Sequence, residues 1–326
     1  MADPNGEPIM TSKGHGSAAA TAAGMLAVVA VLAVALAGKR DEFAQALQAA
    51  PVWVLLAATA LQVVALVTRC EAWHTCVGAA GATISRRRLF RAGGLGNLGS
   101  LINAQLGTAA RIAMLRRSAP GETPRIPALI AAEIPIITVE AVLGALSSFT
   151  LVGPLGLPWW SPLIAFAVMF GIAVALRRLA GRGHGFWKGL AVLRSLHGRT
   201  RVVALVLVAV FAQIARNWLV LHALGVDASV FDATAVLIAM VVLAQLPVGP
   251  SVGAAAVVVI LGANGVALTA AAGVLLTATG TVGALCFAAW AGFDLLSRFR
   301  GGGRAPVDEA AVPVPRPAPA SVAIGG

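Results

Sequence analysis

Apolar residues run along this chain in long blocks rather than at helical or alternating spacing. Six blocks, 19–38, 51–69, 126–151, 158–176, 202–223 and 266–296, are long enough to cross a membrane. A spanning helix needs roughly 20 apolar residues, since a hydrocarbon core of about 30 Å is crossed at about 1.5 Å per residue. Two further apolar regions are interrupted. Residues 86–115 carry Gly94, Gly96, Asn97, Gly99, Asn103, Gln105 and Gly107, and residues 231–262 carry Gln245, Pro247, Gly249, Pro250 and Gly253 at their centre. Proline removes a backbone donor and glycine loosens the chain, so such breaks persist at membrane depth only when packed in protein or lining a wet cavity. The pattern predicts an all-α polytopic membrane protein with about six spanning helices and two broken, re-entrant hairpins.

Composition strengthens this picture. Hydrophobic residues make up 59% of the 326 and charged residues 11%, with a mean hydropathy of +0.88. Soluble domains carry about 25% charged residues, so an ordinary soluble enzyme is excluded. The net charge of +11 comes from 24 Lys and Arg against 13 Asp and Glu. Twenty-one of those cations fall at Lys13, 69–91, 111–125, 177–201 and after 297. Short loops rich in Lys and Arg stay cytoplasmic, whereas loops 152–157, 224–230 and 262–265 carry no cation and read as external. Both termini then lie in the cytoplasm. The first hairpin dips from the cytoplasmic side and the second from outside. Cations placed between membrane helices also argue against nucleic acid as a partner.

A shift of 144 residues places Gly81 on Gly225, Ser85 on Ser229 and Asn103 on Pro247. The chain divides into a tail (1–18), a transmembrane domain (19–299) and a Pro/Ala/Gly-rich tail (300–326) that reads as disordered. Repeat halves at about 51–151 and 202–296 flank one connecting crossing, 158–176, which inverts one half relative to the other. Inverted repeats with broken helices characterise transporters. Ala35, Leu36 and Ala37 resemble a signal cleavage site, although residues 1–18 lack a basic start.

Ionisable groups inside lipid cost about 2.5–3.5 kcal/mol each at a helix centre. Glu133 and Glu140, seven apart, share a helix face, and Arg216 follows Gln213 within 202–223. One reading is a polar path in which Arg216 and a Glu contact a charged headgroup; the other is a buried pair that fixes helix register. Among the arginines of the first hairpin and its flanks, Arg69 and Arg111 are the candidates for specific contact, since the guanidinium fork suits phosphate. Arg86, Arg87, Arg88 and Arg91 read as topology determinants lying against anionic lipid headgroups. Gly94, Gly96 and Gly99 match a dinucleotide-binding spacing but lack the strand it requires, so close helix packing accounts for them better. Cys70, Glu71, His74 and Cys76 do not converge as metal ligands, and no P-loop is present. No metal, cofactor or ATP-driven step is expected.

Arg69 with Trp73, then Gly78, Leu89, and Asn103, Gly107 and Arg111 at four-residue steps resemble the first half of the lysylphosphatidylglycerol synthase transmembrane-region family, also called flippase-like. Leu221, Leu224 and Gly225, then Leu246, Pro247, Gly249, Pro250 and Gly253 before Val257–Leu261, resemble its second half. The resemblance covers about residues 50–296. It implies a bacterial membrane protein that moves phospholipid-type substrates, with Arg111 and the Pro247–Gly253 break lining the path. Family members usually carry a Glu shortly after the last glycine, where this chain has Ala254, Ala255 and Ala256. That departure implies altered substrate or lost activity. Nothing corresponds to the aminoacyl-transferase domain of bifunctional members, so lysyl transfer is not expected.

The sequence thus predicts a non-enzymatic translocase for a phospholipid or lipid-linked anionic substrate. Candidate contacts are Arg69, Asn103, Arg111, Glu133, Glu140, Arg216, Gln245, Pro247, Gly249 and Gly253. Two alternatives are a glycosyltransferase using a lipid-linked donor, with Asp41 and Glu42 as its acidic pair, and a non-transporting scaffold of an envelope pathway.

Overall fold

The structure is a computed structural model and describes residues 38–100, 104–118, 125–182, 185–243, 252–262 and 265–300. The 19–38 block up to residue 37, the tails 1–18 and 301–326, Asn103, Gln245, Pro247 and Gly249 lie outside the described residues. A short helix α1 (Arg40–Ala49) precedes the long α2 (Val52–Ala79). Next come α3 (Arg86–Ser100) and α4 (Ala104–Ser118), then α5 (Ile126–Ala131), α6 (Ile134–Ser147) and α7 (Val152–Leu155). The chain continues through α8 (Ser161–Leu179), a 3-10 segment (Gly185–Arg194), α9 (Leu196–Ala223), α10 (Val230–Leu243), α11 (Val252–Leu261) and α12 (Val266–Arg300). Helix is the regular structure throughout, with no strand among the described residues.

Among the described residues, five segments are long and apolar enough to cross a membrane: Val52–Ala79, Ile126–Leu155, Ser161–Leu179, Leu196–Ala223 and Val266–Ser297. They correspond to the last five blocks of the hydrophobic pattern. Large apolar side chains such as Trp53, Leu163, Phe211 and Phe293 face outward at more than 60% exposure, an arrangement that water would not tolerate over so large an area. The chain is an all-α, multi-pass membrane protein. By contrast, α3 and α4 have 15 residues each, or about 22 Å at 1.5 Å per residue, too short to span. They pack against each other as a hairpin, as do α10 and α11.

The two hairpins begin in the same way. At the end of α2, Gly81 takes φ +94°, and the Ala82 N–H donates to the Val77 carbonyl at 3.3 Å. At the end of α9, Gly225 takes φ +77°, and the Val226 N–H donates to the Leu221 carbonyl at 3.1 Å. Both are the left-handed glycine cap that spends an otherwise orphaned helix carbonyl. Each acceptor and donor in the second is 144 residues beyond its counterpart in the first. Ser85 and Ser229 then lead into the hairpins. Ser229 does so with a reciprocal cap, its N–H donating to the Asp232 carboxylate at 2.9 Å and its hydroxyl accepting from the Asp232 N–H at 3.2 Å.

Helices α2 and α9 form the axis of the molecule and run antiparallel: Val54 and Ala58 pack with Val220 and Leu221 at one end, while Glu71 meets Arg201 at the other. Buried residues gather into two cores at opposite ends of this axis. Trp73, Leu89, Leu115, Leu129 and Val206 belong to the core that holds the α3–α4 hairpin. Val54, Leu221, Val236, Val257 and Leu276 belong to the core that holds the α10–α11 hairpin. Between them lies a narrow waist of Ala65, Ala209 and Ala212. The hairpins therefore sit at opposite ends of the axis. Each half runs long helix, short hairpin, long helix. The connecting α8 packs on α6 and buries none of its residues.

Pro135 divides the Ile126–Leu155 segment into α5 and α6, because proline removes the N–H that would continue the ladder. Glu133 sits at that joint as the residue before α6. Where α3 crosses α12, a Cβ on Gly94 would lie 2.7 Å from the Ala291 Cβ and 3.0 Å from the Phe287 carbonyl oxygen. Gly94→Ala is expected to force the two helices apart at a cost of about 1–3 kcal/mol, the range for overpacking. Gly78→Ala, with nothing within 4 Å of the added carbon, should leave stability unchanged or slightly raised. Denaturant unfolding of both variants in detergent micelles checks the contrast.

Candidate functional site

Arg69 and Glu71 are the charged residues of α2, and with Gln62 they mark levels along it that the helix rise converts into distance. At about 1.5 Å per residue, Gln62 lies about 15 Å from the start of α2, Arg69 about 25 Å and Glu71 about 28 Å. Different partners meet each level.

At the Arg69 level, the Arg69 guanidinium pairs with Glu140 of α6 at 2.7 Å. Close by, Arg111 of α4 pairs with Glu133 at the α5–α6 joint, the two side chains being 15% and 13% exposed. The Arg111 guanidinium also lies over the ring of Trp73, 4.5 Å from its centroid, and Trp73 is fully buried. Helix α6 thus offers both of its acids to basic residues of the first half. The proline kink turns Glu133 toward α4, while Glu140, two turns on, reaches α2. Two donors at this level are unspent: the Trp73 indole N–H and the Arg111 Nε are buried with no acceptor within hydrogen-bond reach. Such groups usually cost about 1–3 kcal/mol when left unmatched.

Two residues on from Arg69, Glu71 binds both Arg86 of α3 and Arg201 of α9, each at 2.7 Å. Asp294 of α12 receives Arg87 Nε at 2.8 Å and pairs with Arg91 at 3.3 Å. Both acids are 8% exposed as side chains. The carboxylate of Asp294 holds the Arg87 pKa above its ordinary value through that hydrogen bond. The basic run of α3, which reads from sequence as surface charge, is in part tied to buried acids on two helices, Glu71 of α2 and Asp294 of α12. The 87 and 91 spacing is one helical turn, so both side chains reach one carboxylate. That spacing, and the presence of lone acids at 71 and 294 in apolar stretches, are the signals from which these pairs could have been read.

The third level holds Arg216 of α9, which is 3% exposed. It donates to the Gln62 side-chain oxygen and, at 3.4 Å, to the Leu276 carbonyl. Glu133 and Glu140 are engaged elsewhere, so the sequence expectation of an Arg216–Glu contact is replaced by Arg216–Gln62. The structure brings Arg69, Arg111, Glu133 and Glu140 together and keeps Arg216 apart. Gly253 is the second residue of α11.

Beside the acids of α6, an apolar cavity of about 230 Å³ opens between α6 and α8. It is lined by Ile134, Ile137 and Ala141 on one wall and by Met169, Ile172 and Leu176 on the other. Asp41 and Glu42 occupy the exposed first turn of α1, where acids favour the helix dipole. Cys70 and Cys76 are buried in packing at the Trp73 core.

The fold and this arrangement define the class: a multi-pass helical membrane protein with partly buried ion pairs between its helices. No family model, curated protein or solved structure matches the chain.

Proposed function

We propose that the chain is a flippase-like translocase of the bacterial cytoplasmic membrane. It moves a phospholipid or lipid-linked anionic substrate, with both termini cytoplasmic and without hydrolysing ATP. The reading rests on one observation: the Arg111 and Trp73 donors are buried without acceptors at a level where Arg69, Glu133 and Glu140 also meet. A headgroup phosphate supplies acceptor oxygens for those N–H groups, and guanidinium with phosphate forms strong, bidentate bonds. Glu133 and Glu140 neutralise Arg111 and Arg69 while the site is empty, so the passage need not hold naked charge in lipid. The α6–α8 cavity has the lining of an acyl-chain seat, and the remaining tail stays in the bilayer.

The resemblance to the lysylphosphatidylglycerol synthase transmembrane region points the same way, as do the opposed hairpins and the distribution of basic loops. Alanine at 254–256 does not weaken the first-half site, which draws no residue from the hairpin of the second half.

Reconstitution into vesicles carrying labelled phosphatidylglycerol tests the proposal. The full chain should exchange label between leaflets faster than empty vesicles. Arg111→Gln should lower that rate by about 10–100-fold, the value of one hydrogen bond to a charged group. Exchange no faster than in empty vesicles, across several headgroups, would overturn the reading.

A further inference from the structure

Arg216 differs from the other buried arginines. Arg91 lies against Asp294 and Arg111 against Glu133, but no carboxylate among the described residues pairs with Arg216. Its side chain carries a full positive charge inside the membrane-spanning part of α9, and arginine does not discard its proton there. Isolated charge at such burial is costly unless a counter-charge reaches it.

The donor inventory is equally incomplete. A guanidinium carries five N–H groups. One goes to Gln62, one reaches the Leu276 carbonyl at 3.4 Å, and the Nε finds no acceptor. The 3.4 Å contact is beyond the usual range for a good N–H···O bond. The guanidinium lies against Gly280 of α12, where a Cβ would sit 3.4 Å from the Arg216 Nη1, an ordinary packing distance. Its position is also particular. Ala65 and Ala212, each about one turn from Gln62 and Arg216, form the waist between the two cores. Alanines make few contacts that must be broken for α2 and α9 to part. The charge therefore sits at the thinnest point of the axis, between the core that holds each hairpin.

We propose that Arg216, oriented by Gln62, is an oxyanion seat: it takes the phosphate of a phosphodiester or of a free phosphate at a level separate from the Arg69–Glu140 pair. This rests on the translocase reading and deepens it, since the seat is then the second station of the same path. At the first station the basic groups are already neutralised by Glu133 and Glu140. At the second the protein supplies no acid, so the substrate's own charge completes the site. Occupancy there removes a cost that the empty protein bears, which makes the intermediate level attractive rather than a barrier.

Gln62→Glu is the informative variant. It places a carboxylate where the amide oxygen now accepts from Arg216, providing an internal counter-charge without removing the arginine or creating a cavity. The variant should fold, and should resist denaturant better than wild type in lipid-free micelles of neutral detergent. Wild-type protein should be stabilised by added phosphatidylglycerol and not by diacylglycerol, which has the tails without the phosphate. In Gln62→Glu the apparent affinity for phosphatidylglycerol should fall by about 10–100-fold, as one charge-assisted contact is lost. Inorganic phosphate separates the two sources: stabilisation by it as well shows that the phosphate group alone suffices, and stabilisation by the lipid alone shows that the tails are required. Equal stabilisation by diacylglycerol, or wild-type affinity in Gln62→Glu, overturns the seat. Leaflet exchange reads the other claim. Protein that binds through Arg216 yet exchanges no lipid keeps the seat and loses transport. Protein that exchanges lipid yet binds equally well with Glu at position 62 keeps transport and loses the seat.

Discussion

Asp294→Ala should cost about 3–5 kcal/mol of unfolding free energy, the range for removing one partner of a buried ion pair. The loss falls mainly on Arg91, whose side chain is 9% exposed and lies 3.3 Å from the carboxylate. Arg87 is 57% exposed and water can take over its solvation, so its share is small. The carboxylate also ties α3 to α12, which links the first hairpin to the last helix of the second half. If the cost comes from stranding Arg91, then a second substitution, Arg91→Met, should recover most of it, because a buried pair replaced by apolar groups is often near neutral. Unfolding midpoints of the single and double variants in detergent read this directly. A double variant no more stable than Asp294→Ala would show that the carboxylate acts through something other than its pair with Arg91.

Trp73→Ala should cost about 3 kcal/mol. Large aromatic truncations in soluble cores cost about 3–5 kcal/mol, part from transfer to water and part from the cavity. Here the transfer part is reduced, because an unfolded helix within the bilayer still keeps its side chains from water. The cavity part remains, since Trp73 is fully buried among α2, α3, α4 and the start of α9. Loss of the ring also removes the surface on which the Arg111 guanidinium rests, a cation–π contact worth about 0.5–2 kcal/mol. Trp73→Phe separates the two effects. It retains an aromatic face but lacks the indole N–H, so it should restore much of the stability while leaving lipid exchange impaired. Full recovery of exchange with Phe would remove the indole donor from the proposed headgroup site.

Much of this architecture was legible because lipid imposes a coarse rule. Long apolar blocks locate the spanning helices, and the block at 51–69 fails only in its end, where α2 runs on to Ala79. The apolar block stops at Arg69, whereas the helix runs on through Glu71, which is neutralised by Arg86 and Arg201 from distant parts of the chain. The same limit explains the candidate site. Arg69, Arg111, Glu133 and Glu140 stand out as charges beside or within apolar sequence, and the structure joins them. Which acid takes which arginine depends on the Pro135 break, which leaves Glu133 at the α5–α6 joint within reach of Arg111 of α4, and no local pattern records it. Gln62 was missed for another reason: an amide in a spanning helix carries no charge to mark it, and its role follows only from facing Arg216 across the axis.

Helix α8 buries none of its residues, and that has a bearing on how freely the chain can change. A side chain that touches only lipid is constrained by hydrophobicity and length, not by shape. Leu, Ile, Val and Phe are therefore interchangeable over most of α8, away from its α6 wall, whereas Gly94 admits no added carbon without displacement. One crossing of suitable length is all that the connection between the halves demands. Its sequence can drift almost freely while the two cores it joins stay fixed in detail.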